Sequence, residues 1–310
     1  MSPSISVIVP VLNRATLITR CLDSIMNQKV KPLELIIVDN GSQDNTVEIV
    51  KNWIKENSHS SVQLKLLIET EKGAYAARQK GLENSQGDFV LFFDSDDKMM
   101  PLLLEKASEK LSTGSKIDIV CWKCRITQLD GSKRIPPFMP EKPLEGHLIH
   151  TLLRPQGFLV KKDYVDQAGG WRKKMEVWDD LELGLRLLLK DPKIIGIPEV
   201  LAEIYSQEES ITGTDFSSKE GKWELTLHEM EREADSTLHP EKKKIKKIIQ
   251  YRRAILAAHY YKEGNKSGAE NLMKLTLMDK NFSERLWLKF SFLFTRMGNR
   301  GAWRIVSTWI

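Results

Sequence analysis

The stretch Gly87-Asp88-Phe89-Val90-Leu91-Phe92-Phe93-Asp94-Ser95-Asp96-Asp97 decides how this chain is read. Its apolar run has strand character and stops in three carboxylates within four residues. Carboxylates at the C-terminal edge of a strand offer hard oxygen ligands, which suit Mg²⁺ or Mn²⁺. A metal held by only two or three carboxylates is completed by water and substrate phosphates. The same residues also make an Asp-rich turn capping a helix that begins near Pro101, since Asp is common at a helix N-cap. The neighbouring segments decide between the two.

Upstream, residues 5–11 form a β-branched run with the character of a buried strand. Residues 15–27 have helical periodicity, with Leu17, Ile18, Cys21, Leu22, Ile25 and Met26 on one side. Residues 33–38 read as a second strand, 46–56 as a helix, 62–69 as a third strand and 73–84 as a helix. With 89–93 as the fourth strand, the order is β-α-β-α-β-α-β, which implies a parallel, doubly wound α/β sheet. Ligands of such sheets bind beyond the C-terminal strand ends. Pro10, Val11 and Asn13, then Asp39 and Asn40, then Asp94, Ser95, Asp96 and Asp97 all lie at such ends, so they are expected to converge. No G-x-G-x-x-G or G-x-x-x-x-G-K-[ST] follows the first strand, which argues against a dehydrogenase or a P-loop enzyme.

Downstream, the spacing predicts a helix over 101–111 and a strand over 117–127. Residues 135–143 hold four prolines and read as a loop or flap. A short strand at 157–161, helices at 162–167 and 181–189, and short strands at 194–197 and 200–205 follow. From about Phe216 the chain reads as helical. The expected domains are 1–214, with halves 1–98 and 99–214, and a helical region at 215–310.

At 310 residues, 41% hydrophobic and 29% charged, the chain suits a soluble globular protein. Three cysteines cannot make a disulfide framework and fit a reducing compartment. Cys121 and Cys124 form a C-x-x-C inside an expected strand, with no second ligand pair for zinc, so they read as ordinary thiols. A strand is reached within five residues, so no signal peptide is expected, and no apolar run has transmembrane length. The expected location is cytoplasmic, at most peripheral at the inner face of a membrane.

These segments resemble family 2 glycosyltransferases with the GT-A fold. Ser6-Val7-Ile8-Val9-Pro10-Val11-Leu12-Asn13 is similar to that family's opening strand, and Val38-Asp39-Asn40-Gly41-Ser42 to its second strand and turn. Gly73-Ala74-Tyr75-Ala76-Ala77-Arg78-Gln79-Lys80-Gly81-Leu82 resembles its following helix, and Asp94-Ser95-Asp96 its D-x-D metal motif. Gly169-Gly170-Trp171 followed by Trp178-Asp179-Asp180-Leu181 resembles its acceptor half, which ends in an acidic pair. The match runs over about residues 4–212 in the right order.

The resemblance implies a mixed GT-A sheet and an inverting, Mn²⁺- or Mg²⁺-dependent transfer of a sugar from a nucleotide sugar, expected to be a UDP-sugar. The expected acceptor is a hydroxyl of a glycan or lipid-linked saccharide, in surface polysaccharide synthesis. Asp96 is implied as metal ligand, with Asp97 or Asp94 assisting. Asp180 is implied as the base that deprotonates the acceptor, with Asp179 where Glu is more usual; both also suit a helix N-terminus. Asp39 and Asn40 stand where the base and ribose are read, and Pro10, Val11 and Asn13 flank the nucleotide, although Asn13 also suits a helix cap. Arg78 either reaches the diphosphate or makes a salt bridge. A Tyr-Arg-x-His segment common in relatives is here Tyr205-Ser206-Gln207-Glu208. Either Glu208 replaces the His or the metal has fewer protein ligands. The other class to weigh is a noncatalytic binding or scaffold protein on the same fold, acting through its C-terminal helices.

Net charge is +5, but residues 240–310 hold 16 Lys and Arg against 5 Asp and Glu. That asymmetry points to a partner for the basic segment. Residues 282–310 set Trp287, Phe290, Phe292, Phe294, Trp303 and Trp309 among Lys289, Arg296, Arg300 and Arg304. Such a helix suits an anionic membrane interface; it equally suits packing its aromatics on the catalytic domain while its charges face water. No recognised module supports nucleic-acid binding.

Overall fold

The computed structural model describes residues 3–113, 116–207, 216–298 and 301–308. Two compact units divide the chain, Met1–Glu208 and Glu209–Ile310.

The first unit runs β1 (Ile5–Val11), α1 (Ile18–Met26), β2 (Glu34–Asp39), α2 (Thr46–Glu56), β3 (Gln63–Ile68), α3 (Ala74–Glu83) and β4 (Phe89–Phe92). It continues through β5 (Lys98–Met99), α4 (Leu103–Leu111), β6 (Ile119–Thr127), β7 (Lys133–Arg134), α5 (Pro143–His150), β8 (Phe158–Lys161), α6 (Lys162–Gln167), α7 (Asp179–Leu188) and β9 (Ile194–Tyr205). One sheet has the order β3-β2-β1-β4-β8-β6-β9-β5, with β7 on β6. β1 to β4 are parallel, whereas β8 is antiparallel to β4 and to β6. The sheet is therefore mixed.

All seven residues of β1 are buried, as expected for a central strand with both faces covered. Pro10 is tolerated because the ladder to β4 ends at Ile8 and Phe92, so its missing N–H falls past the last pair. α3 lies so close to β1 that a Cβ on Gly81 would sit 2.3 Å from Ile8 Cγ2. That approach brings Arg78, one turn earlier on α3, to the C-terminal side of the sheet.

One expectation is corrected. The segments 194–197 and 200–205 are one strand, β9, whose register against β6 shifts around Trp122, Lys123 and Cys124; the irregularity accommodates Pro198. The proline-rich stretch is a loop over 135–142, as expected, and its last residue, Pro143, opens α5, a favoured first helical position. On α5 the buried His147 receives the Leu153 N–H on Nδ1 and meets the Leu181 carbonyl through Nε2, which docks α5 against α7. Gly184 of α7 leaves room for that ring.

The second unit consists of α8 (Lys222–Ser236), α9 (Lys242–Lys262), α10 (Lys266–Leu277), α11 (Phe282–Arg296) and α12 (Ala302–Val306). Its core includes Trp223, Leu227, Ile248, Ile249, Tyr260 and Trp287. Trp303 of α12 packs edge-on against Tyr251 of α9. Among the described residues, no helix is long and apolar enough to cross a membrane. Cys21, Cys121 and Cys124 are free and buried, and burial pushes the thiols of Cys121 and Cys124 up to about 12, so they stay protonated.

Candidate active site

The carboxylates quoted first do gather at the C-terminal edge of the sheet, and their environments separate them. Asp94 is fully engaged: Arg78 Nη2 donates to Oδ1 at 2.7 Å and Gln156 Nε2 to Oδ2 at 2.5 Å. Asp97 is turned inward and is 1% exposed. Its Oδ1 accepts the Tyr205 N–H at 2.9 Å and its Oδ2 accepts from Gln156 Nε2. Asp97 therefore ties the end of β9 to the end of β4, a placement that suits positioning better than ligation of a metal. Asp96 is the least committed. Arg14 Nε reaches its Oδ2 at 3.3 Å, long for a charged hydrogen bond, and Arg20 donates to its backbone carbonyl. Ser95 is buried between them.

Burial and neighbouring carboxylates raise the pKa values of this group. Desolvation followed by Asp94 raises Asp96, with Arg14 opposing. Desolvation followed by Asp96 and Asp94 raises Asp97 further. A cation or a ligand with donors at this edge is thus favoured by the charge it meets.

α7 supplies the acidic pair. Trp178 adopts a left-handed backbone (φ 51°) that turns the chain into the helix, so Asp179 and Asp180 occupy its first turn. Arg78 Nη1 donates to Asp179 Oδ2 at 2.6 Å. Asp180 Oδ1 accepts the Leu181 N–H at 2.8 Å. Desolvation and then the Asp179 carboxylate push Asp180 up to about 6, against the pull of Arg78. Burial works against the Arg78 charge, but Asp179 and Asp94 outweigh it and hold the guanidinium protonated. Arg78 also lies 4.8 Å over the Trp171 ring, which packs edge-on against Phe92 of β4.

Behind this surface, Glu182 and Arg186 form a buried two-pronged ion pair with both contacts at 2.7 Å. Arg186 continues to the carbonyls of Ala168 and Gly170. Gly169 and Gly170 have φ of 85° and 60°, and a Cβ on Gly170 would meet Gln79 Oε1 at 2.3 Å. The Gly-Gly turn thus holds Trp171 beside Arg78.

At the end of β2, Asp39 Oδ2 accepts the N–H groups of Gly41 and Ser42. Its Oδ1 is buried and has no hydrogen-bond partner among the described residues. Asn40 does not present its amide to a base edge. Nδ2 spends its two hydrogens on the carbonyls of Glu69 and Glu71, and Oδ1 accepts the Gly73 N–H. It fastens the start of α3 to β2. Asn13 is not a helix cap: it has φ 50° and cross-links its loop to Ser42 and Gln43. Pro10 and Val11 are buried beside Val38 and Asp39.

Sequence reading missed Gln156, Arg14 and Arg20. Gln156 lies in a 3-10 turn where nothing in the local pattern marks a site. Arg14 and Arg20 flank a loop and a helix whose polar faces look ordinary. Glu208 lies outside the described residues. Among those described, no three His, Cys, Asp or Glu side chains are gathered to hold a metal. A divalent ion would fit here through one or two carboxylates, Asp96 foremost, with phosphate oxygens completing its shell.

A mixed sheet of this order, with acidic residues at the ends of β2, β4 and the start of α7, is the GT-A fold of nucleotide-sugar transferases. The chain belongs to glycosyl transferase family 2, whose model matches residues 6–174. It is 32% identical over 173 residues to glycosyltransferase AglE of Haloferax volcanii, covering 54% of this chain and 55% of that one. The chain spans about half the length of the curated relatives it matches. The fold resembles S. aureus TarS 1-349 in complex with UDP-GlcNAc, with TM-score 0.76, 18% identity, and coverage of 96% of this chain and 92% of that one. It also resembles the mannosyltransferase PcManGT from Pyrobaculum calidifontis in complex with GDP-Man and Mn²⁺, with TM-score 0.58, 18% identity, and coverage of 100% and 88%.

Proposed function

We propose that this protein is an inverting, metal-dependent glycosyltransferase that moves a hexosyl or N-acetylhexosaminyl group from a UDP-sugar to a hydroxyl of a glycan or lipid-linked saccharide. The observation that carries the reading is Arg78. One guanidinium holds Asp94, at the end of the donor half, and Asp179, at the start of α7, so that Asp180 stands beside the metal-motif carboxylates.

The buried, unpartnered Oδ1 of Asp39 is an acceptor for a ring N–H of the nucleobase. Uracil offers N3–H there, whereas cytosine carries a lone pair at that position. Asp96 would hold Mn²⁺ or Mg²⁺. The ion, when bound, neutralises charge developing on the leaving diphosphate. Arg14 and Arg20 stand beside Asp96 and add positive charge at the same edge. Asp97, held by Gln156 and Tyr205, keeps the loop rigid.

Asp180 takes the proton of the acceptor hydroxyl as that oxygen attacks the anomeric carbon. The bond from that carbon to the diphosphate oxygen breaks on the opposite face, which inverts the configuration. A raised pKa makes Asp180 a stronger base than a free carboxylate while leaving it ionised at neutral pH. Asp179, neutralised by Arg78, spares Asp180 a fully exposed like charge.

The test is a panel of UDP- and GDP-sugars with Mn²⁺, reading donor binding and release of nucleoside diphosphate. Asp180→Ala is expected to abolish transfer and retain donor binding; loss of donor binding instead removes Asp180 from the base role. If no donor is bound or turned over, and Asp96→Ala changes nothing, the enzyme reading fails.

A further inference from the structure

The helical unit carries a surface that the transfer chemistry does not use. On α11, Trp287, Leu288 and Ser291 are buried. Phe282, Leu286, Leu293 and Met297 on and just after the same helix are 84%, 55%, 48% and 74% exposed. At about 100° per residue these four fall within a stripe about 60° wide, on the side opposite the buried three. Arg285, Lys289 and Arg296 are exposed along one flank of the stripe, with the Arg296 guanidinium 3.8 Å over the Tyr261 ring of α9. Phe290 and Phe294, half-buried and with rings 5.4 Å apart, border the other. Leu275 and Met278, just before α11, are exposed as well.

The only carboxylate on α11, Glu284, belongs to the capping box with Asn281 and lies away from the stripe. The exposed face therefore offers large apolar side chains and three cations with no compensating acid on the helix. We infer that this face of α11 docks onto an anionic phospholipid bilayer, lying in the plane of the interface. Phe282, Leu286, Leu293 and Met297 enter the acyl boundary, the long stems of Arg285 and Lys289 reach back to lipid phosphates, and Arg296, held over Tyr261, adds positive charge beside them. A second copy fits the same face poorly. Apposing two identical faces sets three cations against three, with nothing anionic between them.

Of the residues singled out over 282–310, Arg300 and Trp309 lie outside the described residues, and α11 itself has two different sides. Its tryptophan packs inward and its phenylalanine, leucine and methionine stripe faces out. The inference concerns the helical unit and holds or fails independently of the transfer site.

The experiment is flotation of the full chain with vesicles of 30% phosphatidylglycerol in phosphatidylcholine, and with phosphatidylcholine alone, at low and high salt. The expected result is recovery with the anionic vesicles, reduced by salt and at least tenfold lower on phosphatidylcholine alone. Phe282→Ser with Leu286→Ser and Leu293→Ser is expected to abolish recovery. Arg285→Glu with Lys289→Glu is expected to do the same, and this second variant keeps the apolar stripe and the buried side of the helix. Circular dichroism and donor hydrolysis should match wild type for both. Equal recovery of wild type and both variants in the soluble fraction overturns the inference. So does sedimentation showing a concentration-dependent oligomer that the serine variant dissociates, because the stripe is then a protein interface.

Discussion

Arg78 and Asp179 are joined at 2.6 Å across 101 positions of sequence. The same guanidinium holds Asp94 at 2.7 Å. Arg78 is 6% exposed, so its charge acts in a weakly screened setting. It lowers the pKa of Asp180, whose net shift is nonetheless upward. Arg78→Gln should therefore move the acid limb of the kcat/KM profile to higher pH. Arg78→Lys keeps the charge, so the limb should stay near its wild-type position. Yet a single ammonium cannot bridge two carboxylates as a planar fork does, and kcat should fall by about tenfold or more. An unmoved limb in Arg78→Gln would separate Arg78 from the base.

The wild-type limb itself carries a sign. Asp180 acts as a base only when ionised, and its pKa stands at about 6. Above that pH the carboxylate is charged and competent; as pH falls through about 6 it takes up a proton and kcat/KM should drop tenfold per unit. Asp180→Asn should lose about 10²- to 10⁴-fold in kcat and lose the limb with it. A limb that survives in Asp180→Asn belongs to another group.

Gln156 makes a prediction about the metal. Its one side-chain amide nitrogen serves Asp94 Oδ2 and Asp97 Oδ2, while its backbone carbonyl accepts from Trp122 Nε1. Gln156→Leu keeps the volume and removes the donor. The buried Asp97 is then left short of a partner, at a cost of about 1–3 kcal/mol. Protonation of Asp97 would relieve that cost and loosen the loop carrying Asp96. The concentration of Mn²⁺ giving half-maximal rate should rise about tenfold, more than Tm loss alone would produce. An unchanged Mn²⁺ titration would confine Gln156 to packing.

The Glu182–Arg186 pair sets stability. Both side chains are buried, at 1% and 4% exposure. Arg186→Ala leaves the buried Glu182 with Arg172 alone, whose Nη1 donates to Oε1 at 3.0 Å, and releases the carbonyls of Ala168 and Gly170, at a cost of about 3 kcal/mol. Tm should fall by about 10 °C for a unit of this size. Replacing both partners by Glu182→Leu and Arg186→Met should recover much of that loss. A double variant no better than Arg186→Ala would mean the carbonyl contacts dominate.

The order of the first four strands was legible because each is a short apolar run bounded by turn residues, with a helical period between. The ends of those strands were legible for the same reason, and so Asp39 and Asp94 could be expected on the same edge of the sheet; Asp179 came only from the resemblance. What pattern could not show was how the polar side chains are spent. Asn40 and Asp97 sit at the expected positions, yet the backbone of Glu69, Glu71 and Gly73 claims the first, and Tyr205 and Gln156 claim the second. Hydrogen bonds across 30 to 110 positions leave no local period. Gln156 was invisible on the same ground. α5 was hidden because four prolines read as loop until Pro143 is recognised as a helix start.

Asp39 yields the prediction most specific to the donor. Oδ2 is fixed by the turn at Gly41 and Ser42, and Oδ1 is buried without a partner among the described residues. A buried carboxylate oxygen in that condition is costly unless a ligand satisfies it. A uracil N3–H would gain a charge-assisted hydrogen bond there, worth about 1.5–3 kcal/mol. Asp39→Asn keeps the shape and an acceptor oxygen but removes the charge, and one of its two oxygens becomes a donor. KM for a UDP-sugar should rise about 10- to 100-fold, with kcat nearly unchanged, because the base is bound equally in ground and transition states. A CDP-sugar, whose ring nitrogen accepts rather than donates, should bind wild type weakly and gain relative to UDP in Asp39→Asn. Isothermal titration of UDP and CDP against both proteins measures this directly. A UDP affinity that Asp39→Asn leaves unchanged would place the nucleobase elsewhere.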